Sequence, residues 1–282
     1  MKALITGAAG QLGSDLDSIL PDPDARDHAA LDITDEAAVR AAVSEASPEV
    51  VFNCAAYHNV DECEQNEETA ARVNVEAVKR LAEACAEAGA KLVHFSTNYV
   101  FDGGAQEPYG EDDLPNPRSV YAITKLAGEY AALSYAPDAL VVRSGGLYGV
   151  AGNRSKGGNF AERMVARARS GEPIKMVADQ RLTPTYTPDL AAAVVEAVDA
   201  GAQGVLHLTN SGACSWHEFT LAILELTGID ADVEAVETTR RPGTADRPLN
   251  GVLASRRGGE LGLPPMRGWR EALADYLERA EL

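Results

Sequence analysis

Short runs of apolar and β-branched residues alternate along this chain with longer alanine-rich stretches. The runs fall at residues 2–6, 50–53, 91–96, 140–143 and 205–208. They are apolar on both faces rather than alternating, which predicts strands of a parallel sheet covered on each side by helices. Between them, residues 70–88 place Val73, Ala77, Leu81, Ala84 and Cys85 near helical spacing and stop at Gly89, a residue suited to a C-cap. The pattern therefore predicts an α/β fold with a doubly wound parallel sheet. After Gly149 it loses regularity, with Gly- and Pro-bearing loops at 152–158 and 240–250. This predicts a sheet domain of residues 1–149 plus returning segments at about 183–210, interleaved with a smaller C-terminal domain of about 150–182 and 211–282.

Composition narrows the function classes. The chain has 282 residues, and 45% hydrophobic content suffices for a sizeable core. Its formal net charge of −18 excludes a nucleic-acid or anionic-membrane partner, either of which needs a cationic footprint. Only six of the 25 cationic residues are lysine, and acidic residues crowd Pro21-Asp-Pro-Asp-Ala-Arg-Asp27 and Glu111-Asp-Asp113. Such a surface suits a halophile, whose salt screens self-repulsion; an acidic mesophilic enzyme is the alternative. Met1-Lys2 leads straight into Ala3-Leu4-Ile5 without a signal-peptide pattern, and no apolar stretch spans a bilayer, so a cytoplasmic protein is expected. Cys54, Cys63, Cys85 and Cys214 have neither metal-ligand spacing nor disulfide density, and read as four unpaired thiols. No metal site is expected.

The first strand runs into Gly7-Ala-Ala-Gly-Gln-Leu-Gly13, a G-x-x-G-x-x-G turn opening a helix. Glycine lets the backbone turn sharply and approach a pyrophosphate, and a helix N-terminus offers free N–H groups and positive potential. This points to a Rossmann sheet binding a dinucleotide. Asp27, twenty residues beyond Gly7, stands where an acidic residue would hold the adenosine ribose hydroxyls, although His28 beside it could accommodate a 2′-phosphate. It also sits among surface aspartates and reads equally as a solvated loop residue. Both NADPH and NADH stay open.

In Ser119-Val-Tyr-Ala-Ile-Thr-Lys125, Tyr121 and Lys125 are four apart and share one helix face. Alone, the spacing describes an ordinary surface pair. With the glycine turn, Asn53-Cys-Ala-Ala-Tyr57 and Ser96-Thr-Asn-Tyr-Val-Phe-Asp-Gly103 in order, the chain resembles the extended short-chain dehydrogenases/reductases, and within them the dTDP-4-dehydrorhamnose reductase family. Leu31-Asp-Ile-Thr-Asp35, Asp179-Gln180, Pro184-Thr185, Arg247-Pro248-Leu-Asn250 and Trp269-Arg-Glu-Ala-Leu273 carry the likeness nearly end to end.

The resemblance implies an NAD(P)H-dependent reductase of a nucleotide-linked 4-keto-6-deoxy sugar, with the smaller domain holding the substrate. Tyr121 would supply the proton, Lys125 would favour its phenolate and hold the nicotinamide ribose, and Thr97 would place a hydroxyl beside the reacting oxygen. A strand-end cap is the alternative reading of Thr97. Gly7, Gly10, Gln11 and Leu12 would line the pyrophosphate, Asp32 and Ile33 would flank the adenine, and Ala55, Ala56 and Tyr57 would run along the cofactor. Asp32 could serve as a helix cap as well. Asn98 and Tyr99 would face the sugar, while Phe101 reads as core. A homodimer is compatible with the resemblance.

Two departures put the sugar in question. Asn98 stands where the family usually has aspartate, and Gly146, in Arg143-Ser-Gly-Gly-Leu-Tyr-Gly149, where it usually has a tryptophan that packs on the sugar. Losing that wall enlarges the pocket unless another aromatic closes it, with Tyr148 and Tyr186 as candidates. The remaining alternatives are a nucleotide-sugar epimerase or dehydratase on the same scaffold, and a non-catalytic nucleotide-binding regulatory subunit.

Overall fold

The computed structural model describes residues 1–151, 158–241 and 243–282. All but the last residue of the loop expected at 152–158, and Pro242 of that expected at 240–250, thus lie outside the described residues. The first five strands are β1 (Ala3–Thr6), β2 (Asp24–Arg26), β3 (Val50–Asn53), β4 (Lys91–Thr97) and β5 (Leu140–Ser144). Then come β6 (Leu147–Tyr148), β7 (Ile174–Val177), β8 (Arg181–Leu182), β9 (Thr185–Tyr186), β10 (Gly204–His207), β11 (Cys214–Ser215) and β12 (Val233–Val236).

Six of these form one parallel sheet in the order β10-β5-β4-β3-β1-β2. Successive side chains of a strand point to opposite faces, and both faces here are apolar. Leu4, Val51, Leu92 and Val141 pack under the helices Glu36–Ala46, Ala77–Ala88 and Val120–Tyr135. Ile5, Phe52, Val93 and Val142 pack under Gln11–Ile19 and Thr187–Asp199 on the other side. The doubly wound parallel sheet expected from the hydrophobic pattern is what forms.

Strand order also places the functional crevice. The chain leaves β1 towards β2 on one side, and β3 begins on the other, so a crevice opens beyond the carboxyl ends of β1 and β3. The glycine turn follows β1, and Cys54-Ala55 follows β3.

A third core lies apart from the sheet. Helices Phe160–Arg169, Trp216–Thr227 and Trp269–Arg279 enclose Tyr148, Tyr186, Phe219 and Tyr276, while β7 and β12 pair in parallel beside them. The chain then returns: Tyr109 accepts from the Ala254 amide at 2.8 Å and donates to the Val252 carbonyl at 2.9 Å. Among the described residues no helix is long and apolar enough to cross a membrane.

The helix expected over 70–88 is interrupted. Residues Glu67–Ala71 and Ala77–Ala88 are α-helical, but Arg72–Glu76 form a π-helical turn before Gly89 ends the run at φ +69°. A π turn inserts one residue and redirects what it carries. Here it carries Asn74, buried, which accepts from the Tyr57 amide at 2.9 Å and donates to the Tyr57 carbonyl and the Thr124 hydroxyl.

Candidate active site

A cavity of about 490 Å³ opens at the crevice. Its floor is the glycine turn. Gly7 has φ +68°, and a Cβ there would stand 2.8 Å from the Ala55 backbone nitrogen, so the two turns approach as closely as glycine alone permits. The helix Gln11–Ile19 begins at N-cap Gly10, which has no side chain to occupy the first-turn amides. Free amides, positive end potential and a close backbone cradle fit the diphosphate of a dinucleotide. Gly10, Gln11, Leu12, Ala55 and Ala56 all line the cavity. The Gln11 side chain is itself engaged, its carbonyl oxygen accepting from the Gly149 amide at 2.9 Å.

The three residues expected to handle the proton meet on the same cavity. Ser119 caps the helix Val120–Tyr135, its hydroxyl accepting from the Ala122 amide, which puts Tyr121 in the first turn and Lys125 one turn on. Thr97 ends β4, its hydroxyl accepting from the Tyr99 amide at 3.2 Å, so its reading as a cap describes a second role. Burial pushes the Tyr121 phenol well above its ordinary pKa, and a hydrogen bond with the Thr97 side chain pulls it partly back. Burial also lowers the Lys125 ammonium to about 8, against the opposing pull of Glu129 and Cys54.

The resemblance implies that Lys125 favours a Tyr121 phenolate, and the structure shows where the ammonium's own hydrogen bonds run. Lys125 is 2% exposed and donates to the Phe95 carbonyl at 2.6 Å, with His94 Nε2 at 3.4 Å. Its charge is held by the sheet, and desolvation dominates at the phenol. Burial thus favours the neutral phenol at Tyr121.

His94 is fully buried, and burial together with the nearby Lys125 holds its pKa well below the ordinary value, so the ring is neutral. Its Nδ1 faces Asn53 Nδ2 at 3.1 Å, and Asn53 accepts from the Thr6 hydroxyl at 2.8 Å. A buried polar chain thus crosses three strands to reach the lysine. The sequence reading missed it, because its members are linked only by strand register.

Asn98 and Tyr99 also line the cavity. Asn98 donates to the Gly251 carbonyl at 2.8 Å, a bond that aspartate could not make, and so fastens the returning segment to the site. Tyr99 stands edge-on to Tyr121, ring centroids 6.0 Å apart, and is hydrogen-bonded to Arg247, which pairs with Asp61 at 2.7 Å.

Other expected cofactor residues stand away from the cavity lining. Asp27 is exposed and accepts from the Ala29 and Ala30 amides, closing its own turn. Asp32 does the same with the Thr34 amide and hydroxyl; the helix that follows is capped by Asp35 instead. Ile33 is in the core under the helices, and Tyr57 reaches Glu62. Phe101 is core, stacked on Tyr109 at 4.2 Å.

The sugar side departs from expectation most. Tyr148 and Tyr186 are 1% and 0% exposed, packed into the third core, and do not close the pocket. Trp216 and Leu182, absent from the sequence reading, line the cavity beside Gly146.

The family described as RmlD substrate binding domain matches residues 1–282. A dTDP-4-dehydrorhamnose reductase of Mycobacterium tuberculosis is 42% identical over 287 residues, covering 98% of this chain and 92% of the relative. A probable dTDP-4,6-dihydroxy-2-methyloxan-3-one 4-ketoreductase of Streptomyces antibioticus is 42% identical over 286 residues, covering 98% and 94%. The structure of a dTDP-4-dehydrorhamnose reductase from Bacillus anthracis in complex with NADP matches with a TM-score of 0.93 at 34% identity, over 99% of both chains. The likeness thus runs the length of the chain, through the glycine turn and the tyrosine helix alike, and the chain belongs to the RmlD substrate binding domain family.

Proposed function

We propose that this protein is an NADPH-dependent reductase of a dTDP-linked 4-keto-6-deoxy sugar, most simply of dTDP-4-dehydrorhamnose to dTDP-L-rhamnose. The observation that carries this is the convergence of Thr97, Tyr121 and Lys125 with the phosphate cradle on one cavity. Full-length relatives named as 4-keto reductases of dTDP sugars support it, and the NADP-bound relative favours the phosphorylated cofactor.

In this reading a bound reduced nicotinamide supplies hydride to the carbonyl carbon. Tyr121, kept protonated by burial, gives its phenolic proton to the carbonyl oxygen, and the Thr97 hydroxyl steadies both groups. Lys125 holds the nicotinamide ribose from a position fixed by Phe95 and His94. Gly7, Gly10 and Leu12 contact the diphosphate, and Ala55 and Ala56 the cofactor beyond it. Asn98 and Tyr99 face the sugar. Residues 1–149 and about 183–210 make the cofactor domain, the remainder the substrate domain. The acidic, lysine-poor surface belongs, in the same proposal, to a cytoplasmic enzyme working in high salt.

The test supplies NADPH and a panel of nucleotide-linked 4-keto-6-deoxy sugars, follows loss of the nicotinamide absorbance, and identifies the product. Oxidation of NADPH with stoichiometric 4-hydroxy sugar is expected. Protein that carries tightly held NAD⁺ through purification, and turns sugars over without consuming NADPH, would instead establish an epimerase or dehydratase.

A further inference from the structure

At Gly146 the backbone has φ +59°, a conformation that side-chain-bearing residues rarely adopt. A Cβ there would stand 2.7 Å from Leu182 Cδ1 and 3.2 Å from Pro184 Cα. The volume that a residue at 146 would sweep is already filled by Leu182, on a segment distant in sequence. Leu182 is 4% exposed yet lines the cavity.

The same segment brings in an aromatic ring. Strand β8 pairs antiparallel with β11, setting Leu182 opposite Cys214 and Arg181 opposite Ser215, so Trp216 emerges beside them. Its backbone amide donates to the Gln180 carbonyl at 3.3 Å. Ser215 and Glu218 form a reciprocal capping box, the Glu218 amide donating to the Ser215 hydroxyl at 3.1 Å and the Ser215 amide to the Glu218 carboxylate at 2.7 Å. The Phe160 ring packs on the indole, centroids 4.5 Å apart at 43°. An indole fixed at its backbone and along one side, mostly buried yet lining the cavity, is preorganised to meet a ligand.

We infer that Trp216 and Leu182 form the apolar wall against which the deoxyhexose packs, and that Trp216 sets the preference for a 6-deoxy over a 6-hydroxy sugar. The inference rests on the reductase reading above. A deoxyhexose offers a methyl group and a face of C–H bonds, which suit an indole and a leucine methyl; a C6 hydroxyl turned to this wall would lose its hydrogen bonds to water without replacement. Apolar sites reject an added hydroxyl only modestly, so the discrimination should be about 10- to 100-fold.

The experiment compares wild type, Trp216→Ala and Trp216→Phe by steady-state kinetics with NADPH and dTDP-linked 4-keto sugars that carry or lack the C6 hydroxyl. For Trp216→Ala, KM for the 6-deoxy substrate should rise about tenfold or more and the preference over the 6-hydroxy sugar should collapse. KM for NADPH and the inhibition constant of dTDP alone should hold. Trp216→Phe should fall between, which keeps the test valid if the alanine variant folds poorly. A readout without turnover uses the chain's two tryptophans, Trp216 and Trp269: a dTDP-deoxyhexose should change the wild-type emission, and Trp216→Phe should lose that response. An active wild type with an unchanged KM and preference in both variants would overturn the inference, as would equal weakening of NADPH, dTDP and sugar. A wild type that neither turns over nor binds any dTDP sugar would instead remove the reductase reading on which it rests.

Discussion

Lys125 donates its ammonium proton to the Phe95 carbonyl oxygen at 2.6 Å, which docks the lysine on β4 rather than on its helix neighbour Tyr121. With burial holding its pKa at about 8, the charged form is lost as pH rises through that value. Because kcat/KM for NADPH reports groups of the free enzyme, it should fall on the alkaline side with a midpoint near pH 8. Lys125→Arg, charged throughout, should remove the limb at a lower plateau, since a planar fork does not replace a point charge. A limb that persists in the arginine variant would assign the titration to another group.

Burial raises the Tyr121 pKa, so its phenol should stay protonated across the working pH. Tyr121→Phe keeps the ring and its edge contact with Tyr99 but removes the proton, and should lower kcat by ~10²- to 10⁴-fold. The alkaline limb in kcat/KM for NADPH should survive in that variant, because it belongs to Lys125. Turnover near wild type would place the proton donor elsewhere.

The sheet was legible because a parallel strand buried on both faces leaves a run of apolar letters, as in Val50–Asn53 and Leu140–Ser144. β2 was not. Asp24–Arg26 is a three-residue edge strand, paired on one side only, and its composition reads as an acidic loop. The π turn at Arg72–Glu76 escaped for a related reason, since one inserted residue hardly disturbs a helical period. Thr97, Tyr121 and Lys125 were legible through the order of their local motifs and the family resemblance these carry, not through spacing alone, and all three line one cavity. Trp216 and Leu182 could not, because what joins them to Gly146 is the pairing of β8 with β11.

That pairing bears on Gly146→Trp, the substitution that would restore the family's usual residue. The indole would need a left-handed backbone and the space of the Leu182 methyl. Overpacking and backbone strain should cost about 1–3 kcal/mol each, seen as a lower melting temperature. If the variant melts with wild type and tightens the sugar, position 146 accepts a wall after all.

The net charge of −18 with six lysines predicts stability that rises with salt. Screening weakens repulsion among surface carboxylates, and excluded salts strengthen apolar burial. The melting temperature should climb from dilute buffer to molar potassium chloride. A flat or falling curve would mark an ordinary acidic enzyme.

Glu129 lies one turn beyond Lys125 and is 1% exposed; it accepts from Arg143 Nε at 2.9 Å and Nη2 at 2.6 Å, and from the Ser96 hydroxyl. It therefore pins the tyrosine helix to β4 and β5 at once. Removing one partner of a buried ion pair strands the other charge, so Glu129→Gln should cost about 3–5 kcal/mol of stability, whereas Glu129→Leu with Arg143→Met together should cost less than either alone. Glu129 also raises the Lys125 pKa against the downward pull of burial. Taking its charge away leaves desolvation less opposed, so the alkaline limb in Glu129→Gln should move below the wild-type midpoint of about 8. Urea unfolding and the pH profile read the two effects separately. A limb that stays in place while stability falls would mean that Glu129 braces the helix without tuning the lysine.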